Sequence, residues 1–320
     1  MSLTLAALVF LFLLWLLVLV RYSVRCLRIE REGRRYLAII SALRPLFEHL
    51  PQHRGMANAY LQGDETFKAK LSETQRQIEK DIEGLDQLLS ACDDALIGRR
   101  WHRLKSDWQA LKSGLGAMAA AESFQAHTNL VTEVIYLFDD AAARSSVCQA
   151  DSNMTKLREI VFCQLPVMVE FIARARGIGT GVASRQKLSV ADRVKLGFLS
   201  SRVEQAVSQS SQVLASMPAA QGVQVARQSV VEESRQLTLN FVQLLNGSLL
   251  GADEVQIKPA AFYEAGTAAI SKNLVLFDGL LPVILDQAAR SQQQLRSRIK
   301  QHGIAMAVLG MGLIALIGGF

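Results

Sequence analysis

Three arginines lie on helix faces that are otherwise apolar, and they are the side chains best placed to do chemistry in this sequence. Arg54 lies within Leu50–Met56, and Arg174 and Arg176 lie within Phe171–Ile178. A charged guanidinium beside an apolar seam costs free energy unless it has a carboxylate or a bound anion as a partner. Its planar fork of N–H donors matches the oxygens of carboxylate, nitrate or phosphate. These residues therefore predict an anion-binding site.

A purely structural interpretation of the same arginines stays open. Arg54 can pair with Glu48 or with a neighbouring helix, and Arg176 can pair with Glu170. Such ion pairs would hold the fold together and bind no ligand.

The sequence contains no recognised catalytic arrangement. Its five histidines form no HExxH pair and its four cysteines form no CxxC pair, which are the spacings of common metal sites. The glycine-rich run 176–181 follows no predicted strand and lacks the GxGxxG spacing of a phosphate-binding loop. We therefore predict no enzyme activity, no catalytic residue, no metal and no cofactor.

The elements that position these arginines are predicted to be helices. Turn signals at Gly63-Asp64, at residues 150–153 and at Met217-Pro218 help to divide the chain into about eight helices. Helices of this length joined by short turns lie antiparallel, so we predict an all-α fold of two stacked four-helix bundles. Apolar side chains recur at the helical spacing of three and four in four groups: Ile78, Ile82, Leu85 and Leu89; Leu104, Trp108, Leu111 and Leu115; Leu130, Val134, Leu137 and Phe138; and Val190, Val194 and Phe198.

Two short segments occur twice in the same order. The segment Glu48–Gly55 resembles Glu170–Gly177. A weaker match pairs Leu137–Asp139 with Leu276–Asp278. Matches this short also arise by chance, so an internal duplication and a coincidence both stay open.

Each end of the chain carries an apolar run that predicts a transmembrane helix. Leu3–Val20 contains no charge, Gly or Pro, and about 18 such residues cross a bilayer core. No basic residue precedes this run, which argues against a cleaved signal peptide. The shorter run, Ile304–Phe320, also predicts a span because tilt absorbs a small mismatch, with a membrane-surface anchor as its alternative. The polar domain between them is predicted at 21–300.

Basic residues predict the partner and the orientation. Lys and Arg that flank a span stay in the cytoplasm, so a cytoplasmic domain is predicted, although a periplasmic one stays open because long loops translocate despite their charge. The net charge of +6 is concentrated beside the first span, where it favours anionic lipid, and the sequence has no nucleic-acid motif. The flanking basic residues are Arg21, Arg25, Arg28, Arg31, Arg34 and Arg35, followed by Arg296, Arg298 and Lys300.

The segment Leu50–Tyr60, LPQHRGMANAY, resembles the Leu-Gln-x-Glu-Arg-Gly-(Leu)-Ser motif that opens nitrate- and nitrite-sensing (NIT) domains. Arg54 and Gly55 match this motif, whereas Pro51 and His53 stand where the family tends to have Gln and Glu. Four later segments are similar to paired helical-bundle sensor regions of bacterial receptors: residues 124–130, 146–151, 165–177 and 262–270.

The resemblance implies an all-helical sensor that binds nitrate or nitrite between helices through arginines. Arg54 is the position that matches the motif, and Arg176 is the second arginine expected to hold the anion. Arg174, Arg235 and His53 are added on their chemistry alone.

The resemblance also implies a signalling role at the bacterial inner membrane. Such sensors pass their signal to an output domain, and none follows in this sequence, so we expect signalling through an unidentified partner protein. A homodimer stays open because such receptors commonly form parallel dimers. Two other functions stay open as well: a membrane-tethered helical scaffold with a degenerate ligand site, and a receptor for small carboxylates, which suit the same arginine forks.

Overall fold

Helices and the short connections between them make up the residues that the computed structural model describes, which are 3–90, 92, 94–145, 152–216 and 225–318. A π-helical turn, Ile160–Gln164, joins the helices Ser152–Glu159 and Leu165–Arg185 into one continuous helix, so the described residues form eight helices, as predicted. The helices are α1 (Leu3–Leu61), α2 (Lys68–Leu89), α3 (Ala95–Gly114), α4 (Ala120–Arg144), α5 (Ser152–Glu159), α6 (Leu165–Arg185), α7 (Val190–Ala215), α8 (Val225–Leu245) and α9 (Pro259–Gly318).

Local side-chain bonds and one glycine set several helix ends. The Asp94 carboxylate accepts the backbone N–H of Leu96 and Ile97 at the start of α3, which satisfies donors that have no partner within the helix. Gly63 adopts a φ of +100° in the turn after α1, a conformation that L side chains rarely take. The predicted break at Met217-Pro218 lies outside the described residues, and so do residues 146–151.

The helices form two four-helix bundles, as predicted. In the first bundle, α1 packs against α2 and α4, and α3 packs against α4. In the second, α6 packs against α7 and α9, and α8 packs against the same two helices. Each bundle has an apolar core, with Trp108 and Leu130 buried in the first and Phe241 and Phe262 in the second. The helical spacing of apolar residues therefore identified the fold class correctly.

The two bundles pack along their sides, with α1 and α9 running antiparallel at the junction. The rings of Phe138 and Phe277, one from each bundle, meet with centroids 5.9 Å apart. Beside them, Nε and Nη2 of Arg44 each donate to the Asp278 carboxylate at 2.9 Å. Because α1 and α9 are neighbours, the apolar ends of the chain emerge together.

The prediction for α7 is right about the helix and wrong about its buried face. Val190, Val194 and Phe198 have exposed fractions of 81%, 68% and 56%. The helix carries a second apolar stripe, and this one meets α6 and α8: Leu196, Leu199, Val203 and Val207. Leucine and valine at these positions fill the seam, so the first stripe is left on the surface.

Two helices, α1 and α9, are long and apolar enough to cross a membrane by length and composition. In the apolar window of α1 only 6% of the residues are buried inside the protein. Large side chains such as Phe10 and Leu11 are 66% and 59% exposed, and a surface of this kind suits lipid better than water. The two helices are therefore candidate membrane spans.

Candidate functional site

Arg54 joins the two bundles through a buried ion pair. Its Nη1 and Nη2 donate to Oε1 and Oε2 of Glu170 at 2.7 and 3.0 Å, which is a bidentate geometry. Nη1 also donates to Oγ1 of Thr128 at 2.9 Å, and Cζ lies 4.9 Å from the ring centroid of Phe124. Arg54 is on α1, Glu170 on α6 and the other two residues on α4, so the guanidinium lies where the bundles meet.

Arg176 lies near this pair but has a different set of partners. Its Nη1 donates to Oγ1 of Thr267 at 2.8 Å, and its Cζ lies 4.6 Å from the ring centroid of Tyr263. No carboxylate among the described residues forms an ion pair with it. Burial lowers the pKa of Arg176 and the charge of Arg54 lowers it further, while Tyr263 and Glu170 oppose the shift. Since a guanidinium stays protonated, its surroundings leave an uncompensated positive charge.

The two arginines have equivalent surroundings. Each donates to a threonine on a neighbouring helix and lies over the aromatic ring one turn before that threonine. Both threonine hydroxyls donate to the carbonyl of that aromatic residue at 2.8 Å. The same interval separates Phe124 from Tyr263 and Thr128 from Thr267. These contacts support the internal duplication.

The two sites differ in their carboxylate. Glu170 pairs with Arg54, and the same relation would place Glu48 opposite Arg176. Arg44 binds Glu48 instead, with 2.8 Å between Nη1 and Oε2. The charge of Arg54 is therefore balanced inside the protein, whereas that of Arg176 is not.

His53 is fully buried and donates its proton to a neighbouring histidine. The Nδ1 of His127 lies 2.7 Å from the carbonyl oxygen of Ser123, which can only accept, so Nδ1 carries the proton. Nε2 of the neutral His127 ring is then the acceptor for His53 Nδ1, at 2.7 Å. Burial and the neighbouring His127 lower the pKa of His53 to about 3. The donor expected from His53 is thus used inside the first bundle.

Arg174 and Arg235 are not brought together with the other two arginines. Arg174 is half-buried on α6 and stands two residues before Arg176, a spacing that places the two side chains on different faces. Arg235 lies on α8, where Nη2 donates to Oε1 of Glu232 at 2.6 Å. Neither contributes to the positive charge at the junction of the bundles.

Four residues that contact the two arginines are absent from the sequence-based prediction of the site: Phe124, Thr128, Tyr263 and Thr267. Their signal is the shared interval, which also relates Phe138 to Phe277. The weaker repeat, Leu137–Asp139 with Leu276–Asp278, has this interval, and extending it would have paired Phe124 with Tyr263 and Thr128 with Thr267.

Gly266 on α9 permits the close approach of Arg176. A Cβ at this position would lie 2.9 Å from both Cβ and Cγ of Arg176, and Cβ atoms in proteins essentially never approach a non-bonded atom this closely. We expect Gly266→Ala to displace Arg176 from Thr267 and to destabilise the fold by about 1–3 kcal/mol. Gly279→Ala on the same helix is the matched control, since nothing lies within 4 Å of its Cβ. Equal thermal unfolding midpoints for the two variants would contradict this close packing.

The chain is similar to known proteins in sequence profile and in fold. A family model described as nitrate and nitrite sensing matches residues 45–275, which include Arg54 and Arg176. The solved structure of the NasR transcription antiterminator is similar with a TM-score of 0.67 and 15% sequence identity, over 92% of this chain and 82% of that chain. At that identity the likeness shows the fold alone. No curated protein matches the chain significantly.

Proposed function

Because this chain belongs to the nitrate- and nitrite-sensing (NIT) family, we propose that it is a membrane-anchored, non-enzymatic sensor that binds nitrate or nitrite between its helices. The observation that carries the proposal is the positive charge of the half-buried Arg176, which has no carboxylate partner in the described part of the chain and lies beside the buried Arg54–Glu170 pair. Among the described residues only Thr267 accepts from the Arg176 fork, through Nη1. The remaining donors suit the oxygens of a small planar anion.

In this proposal the signal leaves through the two long helices. Arg54 is on α1 and Thr267 is on α9, and each helix continues to one end of the chain. An anion that binds one relative position of α1 and α9 better than another shifts the population of these positions. A partner protein binds one of these positions at the membrane and passes the signal on.

The spans are 3–20 and 304–320, and the sensor domain 21–300 lies in the cytoplasm of a bacterium because the flanking residues are basic.

The orientation has its own test. A reporter enzyme that is active only in the periplasm, fused after Phe320, should be active because both ends of the chain point outward. An inactive reporter on a stable fusion would contradict the outward placement of this end.

We expect nitrate or nitrite to raise the thermal unfolding midpoint of the full chain in detergent, and Arg176→Met to abolish the rise. A ligand at 100 times its dissociation constant adds about 2.7 kcal/mol of stability. Arg174→Met is the matched control, because it removes the same charge from another face of the same helix. Loss of the nitrate effect in both variants, or in neither, would contradict the assignment of Arg176.

The same titration separates the other functions. A midpoint that rises with acetate or another small carboxylate, and not with nitrate or nitrite, would identify a carboxylate receptor. A cooperatively folded chain that responds to no anion would favour the helical scaffold. The exposed stripe of Val190, Val194 and Phe198 is the observation that supports that scaffold, since it offers an apolar surface to another protein.

A further inference from the structure

We propose that Glu170 is a specificity-determining residue that limits the site to monovalent anions. Its carboxylate cancels the charge of Arg54, so two guanidinium groups and one carboxylate leave a single net positive charge. This inference rests on the proposed function, because it concerns the anion bound beside Arg54 and Arg176.

The geometry holds the Glu170 charge in place. Glu170 is 3% exposed, and both of its oxygens accept from Arg54. It also lies on α6, six residues before Arg176, and its negative charge opposes the lowering of the pKa of that arginine. Salt screens buried charges much less than exposed ones. The Glu170 carboxylate therefore repels any anion that binds beside Arg176.

The surrounding groups do not change this charge balance. His53 and His127 are neutral above about pH 5, because burial lowers the pKa of His53 to about 3 and that of His127 to about 4. The Glu48 and Asp278 side chains are 39% and 53% exposed, so water screens their charges. The charge that a bound anion meets is thus set by Arg54, Glu170 and Arg176.

A single net charge discriminates between anions. Nitrate and nitrite each carry one negative charge and neutralise the site. Sulfate would leave one negative charge without a partner at the junction of the bundles, which is unfavourable. Perchlorate is the informative probe, since it has the tetrahedral shape of sulfate and the charge of nitrate.

The test is calorimetric titration of the full chain in detergent with nitrate, perchlorate and sulfate. In Glu170→Gln, where the amide oxygen still accepts from Arg54, we expect the affinity for sulfate relative to perchlorate to rise by about tenfold or more. In Glu170→Asp, which keeps the charge, the wild-type preference should persist. An unchanged ratio in folded Glu170→Gln overturns the inference.

A second pair of variants tests whether the net charge of the site controls anion binding, even if Glu170→Gln does not fold. Thr267→Asp adds a carboxylate beside Nη1 of Arg176 and leaves the Arg54–Glu170 pair intact. We expect it to bind nitrate at least about tenfold more weakly than Thr267→Asn, which has the same size and no charge. Equal affinities for nitrate in these two variants overturn the inference.

The wild-type titration separates the two proposals. A wild-type chain that binds sulfate as tightly as perchlorate overturns the role of Glu170 and leaves the anion sensor standing. A wild-type chain that binds no monovalent anion overturns the proposed function together with this inference.

Discussion

Replacing Arg54 by methionine should destabilise the folded chain by about 3–5 kcal/mol. The change removes both hydrogen bonds to a Glu170 carboxylate that is 3% exposed, and a buried charge without a partner is costly. Arg176 does not replace the lost partner easily, because residues six apart on a helix lie on different faces. Chemical unfolding of the full chain in detergent measures the loss.

The control is the double variant Arg54→Met/Glu170→Met, which removes both charges. Its stability should lie much closer to that of the wild type, since a buried ion pair and an apolar pair of similar volume often contribute equally. The difference between the double variant and the sum of the single ones gives the coupling free energy. A double variant as unstable as Arg54→Met would show that the buried carboxylate is not the cause.

The ion pair stabilises one arrangement of the bundles and not either bundle alone. Arg54 belongs to the first bundle and Glu170 to the second, so neither bundle contains both partners. The apolar contact of Phe138 with Phe277 lies at the same junction and does not depend on charge. Loss of the pair should therefore loosen the junction before it unfolds the helices.

Sequence periodicity identifies a helix more reliably than the face that the helix buries. Leu130, Val134 and Phe138 were predicted on one face of α4, and all are buried, because that helix has a single apolar stripe. α7 has two stripes, and Phe198 belongs to the one left outside. The choice between two stripes depends on where the neighbouring helices lie, which the local sequence does not encode.

The sequence identifies two arginines on apolar helix faces, which the fold brings near each other, but it does not identify the carboxylate that each one meets. Glu48 and Glu170 precede Arg54 and Arg176 by the same spacing, so the sequence offers each arginine a carboxylate on its own helix, with a neighbouring helix as the alternative for Arg54. The fold instead pairs Arg54 with the carboxylate of the other repeat, and Arg44 binds the remaining one. This exchange follows from the packing of α1 beside α6. It leaves the charge of Arg176 without a carboxylate partner among the residues that the structure describes, whereas the charge of Arg54 is balanced by Glu170.

A fall in pH from 7 to 5 should destabilise the chain by about 4 kcal/mol through two buried histidines. Burial is the main reason that the pKa of His53 is lowered from 6.5 to about 3 and that of His127 from 6.5 to about 4. The neighbouring His127 adds to the first shift and the charge of Arg54 to the second, while the bond to Ser123 opposes the second. Unfolding returns both rings to water, where they bind protons below about pH 6.5.

The sign follows from this difference in proton binding. Both folded pKa values are depressed, so the neutral rings contribute their full stability above about pH 6.5, and it is lost as the pH falls toward 4. At pH 5, proton binding to each of these two rings stabilises the unfolded chain by about 2 kcal/mol.

The slope of the unfolding free energy against pH provides the measurement. Near pH 5 it should correspond to an uptake of about two protons on unfolding from these rings. Most carboxylates titrate below this range, so the slope between pH 7 and pH 5 reports chiefly on imidazoles. His53→Gln/His127→Gln should remove this contribution whatever its effect on stability at pH 7, because glutamine binds no proton. Equal slopes for the variant and the wild type would mean that these two rings are protonated in the folded chain as readily as in water.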